Sequence, residues 1–445
     1  MTNWWCEFAA IGGVVHAGVT ITACDGRFTS IVPDTAAPAD TERLYGLTIP
    51  GLANSHSHAF HRALRSRTQA GRGSFWTWRK VMYEAAARLD PENYHRLARA
   101  VFAEMALAGQ TVVGEFHYVH HQPDGTPYGD PNVMGHALLA AADEAGIRIT
   151  LLDTMYLHGG LDANGYQPVD GPQRRYADAD AEAWAERIND LKPGANQLIG
   201  GAIHSVRAVD PESITVAVES TCGAAVPLHA HVSEQTAEND ACLVHHGATP
   251  VVMLDRSGAL SPAFTAVHAT HLRADDVHRL GASGATVCMC PTTERDLGDG
   301  IGPTIDLTEA GVSIHLGSDS HAVIDHFVEA RAIELHERLR SECRGLHRAP
   351  DLLAMATVNG HQALGWTTAG RLEVGNRADL VTIRLDSERT VGTPRDLAVA
   401  TAVFAATSSD ISTVVVDGHA VVADGHHLSI DVAAELQASI KELFT

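Results

Sequence analysis

Short apolar runs rich in β-branched residues recur through the middle of the chain, each bounded by Gly, Pro or a polar cluster. Between them the apolar positions fall at three-to-four spacing. This alternation predicts strands separated by helices. Eight such runs occur, at 47–55, 111–117, 147–154, 198–205, 226–232, 264–269, 285–290 and 312–318. The segments 91–108 and 132–145 are two of the intervening helices, the second rich in Ala and Leu. Strand and helix in strict alternation imply a parallel sheet, and eight repeats imply an α/β fold closed into a (β/α)8 barrel of the TIM type.

The two chain ends read differently. Short strands joined by Asp25-Gly26, Asp417-Gly418 and Asp424-Gly425 predict hairpins, because Asp-Gly suits a turn with positive φ at both central residues. Strands at 12–19 and 28–32 are expected to meet strands at 380–385, 414–417 and 420–422 in one small β-sandwich. The expected organisation is the N-terminal part of that sandwich at 1–49, the barrel at 50–365, and the C-terminal part with a terminal helix at 366–445.

Composition narrows the function classes. A chain of 445 residues, 45% hydrophobic and 19% charged, can hold a barrel and a small module. No run approaches the roughly 18 apolar residues of a membrane span, and acidic Glu7 stands where a signal peptide is basic, so a cytoplasmic location is expected. The seven cysteines (Cys6, Cys24, Cys222, Cys242, Cys288, Cys290, Cys343) are odd in number and scattered, which suits a reducing compartment. A net charge of -22 disfavours nucleic acid and anionic membranes as partners, and an acidic substrate would need local arginines. A homodimer is the expected assembly.

The 27 histidines change the picture through their placement. His56 and His58 follow the first barrel strand two residues apart, so both imidazoles can face one point at the barrel mouth. His204 stands at the end of the fourth run, His229 and His231 at the fifth, His268 and His271 at the sixth, and Asp319 at the eighth. That end of the barrel is where this fold carries catalytic groups. Other histidines, His336, His347, His419, His426 and His427, read as exposed. Three imidazoles and one carboxylate, as in His56, His58, His231 and Asp319, suit Zn2+, with Fe2+ and other divalent ions also accommodated. The three lysines, Lys80, Lys192 and Lys441, fall off the barrel strands, so a lysine-bridged pair of ions is not expected. Glu234, three residues beyond His231, is placed to act as general base on a metal-bound water and later as acid toward a leaving nitrogen. His268 is either a satisfied core histidine or a group that polarises the nucleophile and the substrate carbon. Asp319 can share the base role while ligating.

These residues in this order resemble the amidohydrolase superfamily in its mononuclear aminohydrolase branch. Closer motifs narrow the match: residues 50–60 around His56-Ser57-His58, Phe75-Trp76-Thr77-Trp78-Arg79, the run from Glu115 to His121, His204 to Val209, His268 to His271, and Pro291 to Gly300. Together they are similar to the formimidoylglutamate deiminase family, in which N-formimidoyl-L-glutamate is hydrolysed to N-formyl-L-glutamate and ammonia in histidine degradation. The resemblance implies metal ligation by His56, His58, His231 and Asp319, and catalysis by Glu234 and His268. It also implies that Arg79, Tyr118, His204 and Arg207 bind the glutamate part, in keeping with the bidentate grip of arginine on carboxylates. The plainer alternatives are stacking of Arg79 on Trp76 or Trp78, and a surface ion pair for Arg207. His61 departs from the family, which usually has Gln there near the formimidoyl end. An imidazole can replace the hydrogen bond, but a charged one would oppose an amidinium. The alternative substrate classes are other imino, guanidino and purine compounds.

Overall fold

Buried apolar runs become the staves of a barrel. The structure, a computed structural model, describes residues 1–73, 75–222 and 226–445, and of Phe75, Trp76 and Cys222 the backbone alone. Ser74 and the side chains of Phe75 and Trp76, part of the aromatic motif, lie outside it, as does the Cys222 thiol. Eight strands run in sequence order around one parallel sheet: β1 (Leu52–Ser57), β2 (Gln110–His117), β3 (Arg148–Met155), β4 (Gln197–Ile203), β5 (Leu228–Val232), β6 (Phe264–His268), β7 (Thr286–Met289) and β8 (Ser313–Leu316). Parallel strands covered by helices are buried on both faces, which is why β2 and β3 are buried at every position.

Helices begin and end on local signals. The helix Pro91–Leu107 starts with Asp90, whose side chain accepts from Glu92 N and Asn93 N, and Pro91 follows at the first helical position. The helix Val133–Ala145 stops at Gly146 with φ 74°. The expected terminal helix is Val432–Phe444, and it ties back to Pro91–Leu107 through Arg96 to Glu442 and Arg99 to Glu435. Among the described residues, no helix is long and apolar enough to cross a membrane.

The chain ends meet in a second, mixed sheet of eight strands. Thr2–Ile11, Val14–Cys24, Arg27–Val32 and Glu42–Pro50 join Leu380–Ile383, Ile411–Val416, His419–Ala423 and His426–His427. The junction is the antiparallel pairing of Leu380–Ile383 with Glu42–Pro50. This sheet folds over a core of its own, so that Phe28, near one edge, shares an apolar cluster with Val415, near the other. All three Asp-Gly turns have positive φ at both residues, such as 50° at Asp25 and 73° at Gly26.

The run 47–55 is not one strand. Residues through Pro50 pair in the small sheet and the barrel strand begins at Leu52, with Gly51 between them. A Cβ at Gly51 would lie 2.3 Å from Thr111 Oγ1, so only glycine lets the chain pass this close to β2. At the same joint Arg148 Nη1 of β3 donates to Asp379 Oδ1 at 3.0 Å and pairs with Asp417 Oδ1 at 3.1 Å. Removing one partner of a buried ion pair strands the other charge. Asp379→Ala is therefore expected to cost about 3–5 kcal/mol, read as a fall in the urea midpoint; an unchanged midpoint would count against the joint.

Candidate metal centre and active site

The barrel closes where the candidate ligands sit. Ser57 and Asp319 form an isolated parallel bridge between the ends of β1 and β8. Asp319 N donates to His56 O at 3.0 Å, and His58 N donates to Asp319 O at 3.3 Å. The seam thus delivers His56, His58 and Asp319 together, and β5 brings His231 from across the barrel. Asp319 Oδ1 lies 3.4 Å from His56 Nε2 and 3.3 Å from His58 Nε2, while His231 Nε2 lies 3.1 Å from His56 Nε2.

This donor set fits a cation. His58 Nδ1 donates to Phe116 O and His231 Nδ1 donates to His204 O, each at 3.0 Å, so both rings turn an Nε2 lone pair inward. Burial pushes the His58 pKa down to about 3 and that of His231 well below its ordinary value, which keeps the imidazoles neutral, as ligation requires. Burial alone would raise the Asp319 carboxyl. The hydrogen bond and charge of His56, with His268 and His58, outweigh it and hold the carboxyl well below the usual range. Converging lone pairs beside a carboxylate repel one another unless a positive ion lies among them. Lys80, Lys192 and Lys441 all lie off the barrel strands.

Beside the ligands, the chain turns abruptly. Ser233, His268 and Asp319 have φ of 51°, 68° and 41°, a left-handed backbone costly for residues with a Cβ and concentrated here at strand ends. The turn at Ser233 carries Glu234 over the centre, 4.0 Å from His268 Nε2. His268 Nε2 is also 3.9 Å from Asp319 Oδ2, and its Nδ1 is 3.4 Å from Glu294 Oε1. Burial works against protonation of His268, but Glu234, Glu294 and Asp319 outweigh it and raise its pKa well above the ordinary value. His268 is therefore held among three carboxylates at the wall of the cavity.

A cavity of about 570 Å³ opens above this cluster. Its walls bring together His61, Arg79, Tyr118, His204 and Arg207 with Glu234, His268 and Asp319. His56 lies beneath, fully buried. The Arg79 guanidinium carbon sits 5.0 Å from the ring centre of Tyr83, one helical turn along Phe75–Ala86. Arg207 is no surface ion pair: its side chain is 17% exposed and faces Glu234 and Glu238. His204 is held neutral by burial and by Arg207, so it offers a hydrogen bond rather than a charge. His61 Nε2 lies 3.0 Å from Tyr118 Oη, and burial and His58 keep its pKa well below the ordinary value. His61 thus offers the cavity a hydrogen bond rather than a charge.

Some expected residues stay outside and others were missed. His229 sits deeper in the barrel, near His315, and is absent from the cavity wall, as is His271. His347, read as exposed, is buried, with Nε2 3.1 Å from Thr304 Oγ1. Tyr83, Tyr156 and Tyr176 line the cavity, and no spacing rule joins residues so far apart in sequence. Glu115 sits inside one of the recognised motifs and locks the seam: it accepts from Ser57 Oγ at 2.5 Å and from Ala59 N at 2.6 Å. His117, His120 and Asp153 form a separate buried cluster, where Arg187 Nη1 lies 2.7 Å from Asp153 and already supplies the positive charge.

Glu329, on the helix His326–Ser341, supports Glu294 from behind. It accepts from Thr292 N at 2.9 Å and Oγ1 at 2.5 Å, at the start of the helix Pro291–Leu297 that carries Glu294. Burial pushes its carboxyl up to about 8. The folded protein then keeps a proton that the unfolded chain releases above about pH 4.5, so this group's contribution to stability falls as pH rises from there to about 8. Glu329→Gln is expected to lose at least about 1 kcal/mol less than wild type between pH 5 and pH 8 in urea titrations. Equal losses would count against it.

The chain is similar to known proteins over most of its length. Residues 47–421 match the model of the amidohydrolase family. The chain is 37% identical over 418 residues to a formimidoylglutamate deiminase of Pseudomonas aeruginosa, covering 91% of each chain. It is 31% identical over 430 residues to an 8-oxoguanine deaminase of the same species, covering 96% of this chain and 92% of that one. A crystal structure of an amidohydrolase from Brucella melitensis superposes with a TM-score of 0.92 at 30% identity, over 100% of both chains.

Proposed function

The chain belongs to the amidohydrolase family and is a hydrolytic deaminase, and from that premise we propose that it converts N-formimidoyl-L-glutamate and water to N-formyl-L-glutamate and ammonia. One observation carries the proposal: Arg79 and Arg207 share a single cavity with Glu234 in a protein of net charge -22. A dicarboxylate entering such a field needs fixed cations, and arginine supplies planar, bidentate ones. The 37% identical deiminase adds weight to the same substrate.

His56, His58, His231 and Asp319 would hold a divalent ion, best Zn2+, which would supply Lewis acidity and make a water more acidic. The protein's own residues do the rest. Arg79 and Arg207 grip the carboxylates, and Tyr118 and His204 add neutral hydrogen bonds. Neutral His61, held by Tyr118, faces the formimidoyl nitrogen. Glu234 takes a proton from the attacking water and returns it to the formimidoyl nitrogen, then carries the hydroxyl proton of the tetrahedral adduct to the same nitrogen as the C–N bond breaks, the C=O forms and ammonia leaves. His268, oriented by Glu294, donates a hydrogen bond to the oxygen on the tetrahedral carbon, and positioning of the substrate chain contributes several kcal/mol of barrier lowering.

A second reading has one observation in its favour. Trp78, Tyr83, Tyr156 and Tyr176 line the cavity, and aromatic walls also suit a planar purine. Ammonia release from zinc-loaded protein separates the two, with formimidoyl-L-glutamate tested beside formimidoyl-L-aspartate, guanine and adenosine. Turnover of the first is expected at least about 100-fold above guanine and adenosine in kcat/KM, since a site built to pair a substrate group rejects analogues that lack it, and about 10-fold or more above formimidoyl-L-aspartate, which is one methylene shorter. No turnover of the first with turnover of another overturns the substrate assignment.

A further inference from the structure

We propose that Glu238 is a positioning residue for the carboxylate subsite, holding Arg207 by one edge of its guanidinium so that the other edge faces the substrate. The inference rests on the dicarboxylate assignment above. Glu238 lies in the first turn of the helix Thr236–His246, and its side chain is 0% exposed. Its Oε2 stands 3.4 Å from Arg207 Nε, while Arg207 Nη2 stands 3.6 Å from Glu234 Oε2. Both contacts use Nε and Nη2, the same side of the guanidinium, and Arg207 lines the cavity.

A carboxylate in the first turn of a helix has an ordinary explanation, and here it covers half of the group. Glu238 Oε1 accepts from Ser233 N at 3.4 Å, at the bend just before the helix. Oε2 is left over. It is buried with no hydrogen-bond partner among the described residues, and so is the Arg207 Nε opposite it. Each alone would be a costly group to bury, and together they offset one another.

The separations matter as much as the partners. Charged N–H to carboxylate bonds close to about 2.7–2.9 Å when fully formed. Arg207 is instead balanced between two carboxylates at longer range, and a substrate carboxylate can draw it without breaking a short ion pair. Without Glu238 the balance fails. Glu234 becomes the nearest carboxylate, and Arg207 is pulled toward the base and away from the substrate.

Glu238→Gln is the matching probe, since the amide keeps an acceptor for Ser233 N and removes the charge. Binding of N-acetyl-L-glutamate, an unreactive dicarboxylate, is measured by calorimetry, and formimidoyl-L-glutamate turnover by ammonia release, in wild type, E238Q, R207M and the double variant. E238Q is expected to raise Kd and KM about tenfold, with a smaller fall in kcat from the closer approach of Arg207 to Glu234. In the R207M background it adds less than about twofold, because its effect runs through Arg207. E238D, which keeps the charge one methylene back, is expected to recover part of the loss and serves if E238Q does not fold. Wild-type Kd and KM in E238Q, or the same loss in both backgrounds, overturns the proposal. Absence of formimidoyl-L-glutamate turnover in wild type removes the substrate assignment and this inference with it, whereas wild-type turnover with an unaltered E238Q removes the inference alone.

Discussion

Replacing Glu234 with glutamine is expected to lower kcat by about 10²–10⁴-fold, the range in which a positioned general acid-base group contributes, while metal content stays that of wild type. Glutamine keeps the shape and can still face Arg207 Nη2 and His268 Nε2, which lie 3.6 and 4.0 Å from the carboxylate. It cannot take a proton. The loss should therefore fall on kcat and kcat/KM alike, because the proton moves in the transition state and substrate binding does not depend on it. Steady-state ammonia release and elemental analysis of the same preparation check both halves. A variant within about tenfold of wild-type kcat would show that another group carries the proton, with Asp319, the ligand that can share the base role, the nearest replacement.

Asp319→Asn is expected to have a comparable effect by a different route, through loss of the ion itself. Asp319 is the one anionic donor among the four proposed ligands, and its backbone also closes the barrel seam through His56 O and His58 N. Asparagine preserves the seam, whose bonds are made by the main chain, but removes the negative charge that offsets the ion. Metal per chain after gel filtration should fall below half of the wild-type value, with activity following it. Thermal unfolding provides an independent reading. Wild type gains about 4 kcal/mol of stability when free zinc stands at 1,000 times Kd, and D319N gains much less at the same zinc concentration. Full zinc occupancy in D319N would remove Asp319 from the ligand set.

Much of the centre is legible in the sequence, and the reason is short-range chain geometry. Two residues apart on a strand means the same side, which placed His56 with His58. Proximity to a strand end placed Glu234 and His268. The eight-strand count held because each barrel strand leaves its own apolar run. What failed did so where one residue decides between two partners. The run 47–55 looks continuous, yet Pro50 pairs with Leu380 while Leu52 pairs with Gln110, and nothing in hydropathy marks the change of sheet. His347 carries an exposed-looking polar neighbourhood in sequence, and its burial comes from Thr304 and Glu334 on distant segments.

The amino-acid sequence by itself determined the barrel, the meeting of the chain ends, and the residue types gathered at the barrel mouth, because periodicity and turn chemistry act over a few residues. Tertiary structure alone decided the rest. It closed the barrel at the ligand seam, turned Ser233, His268 and Asp319 into a left-handed backbone, buried His61 as a neutral ring, and set Glu238 against Arg207. Those outcomes depend on which distant segments exclude water from each other, and the resulting desolvation sets the charges and distances at the site.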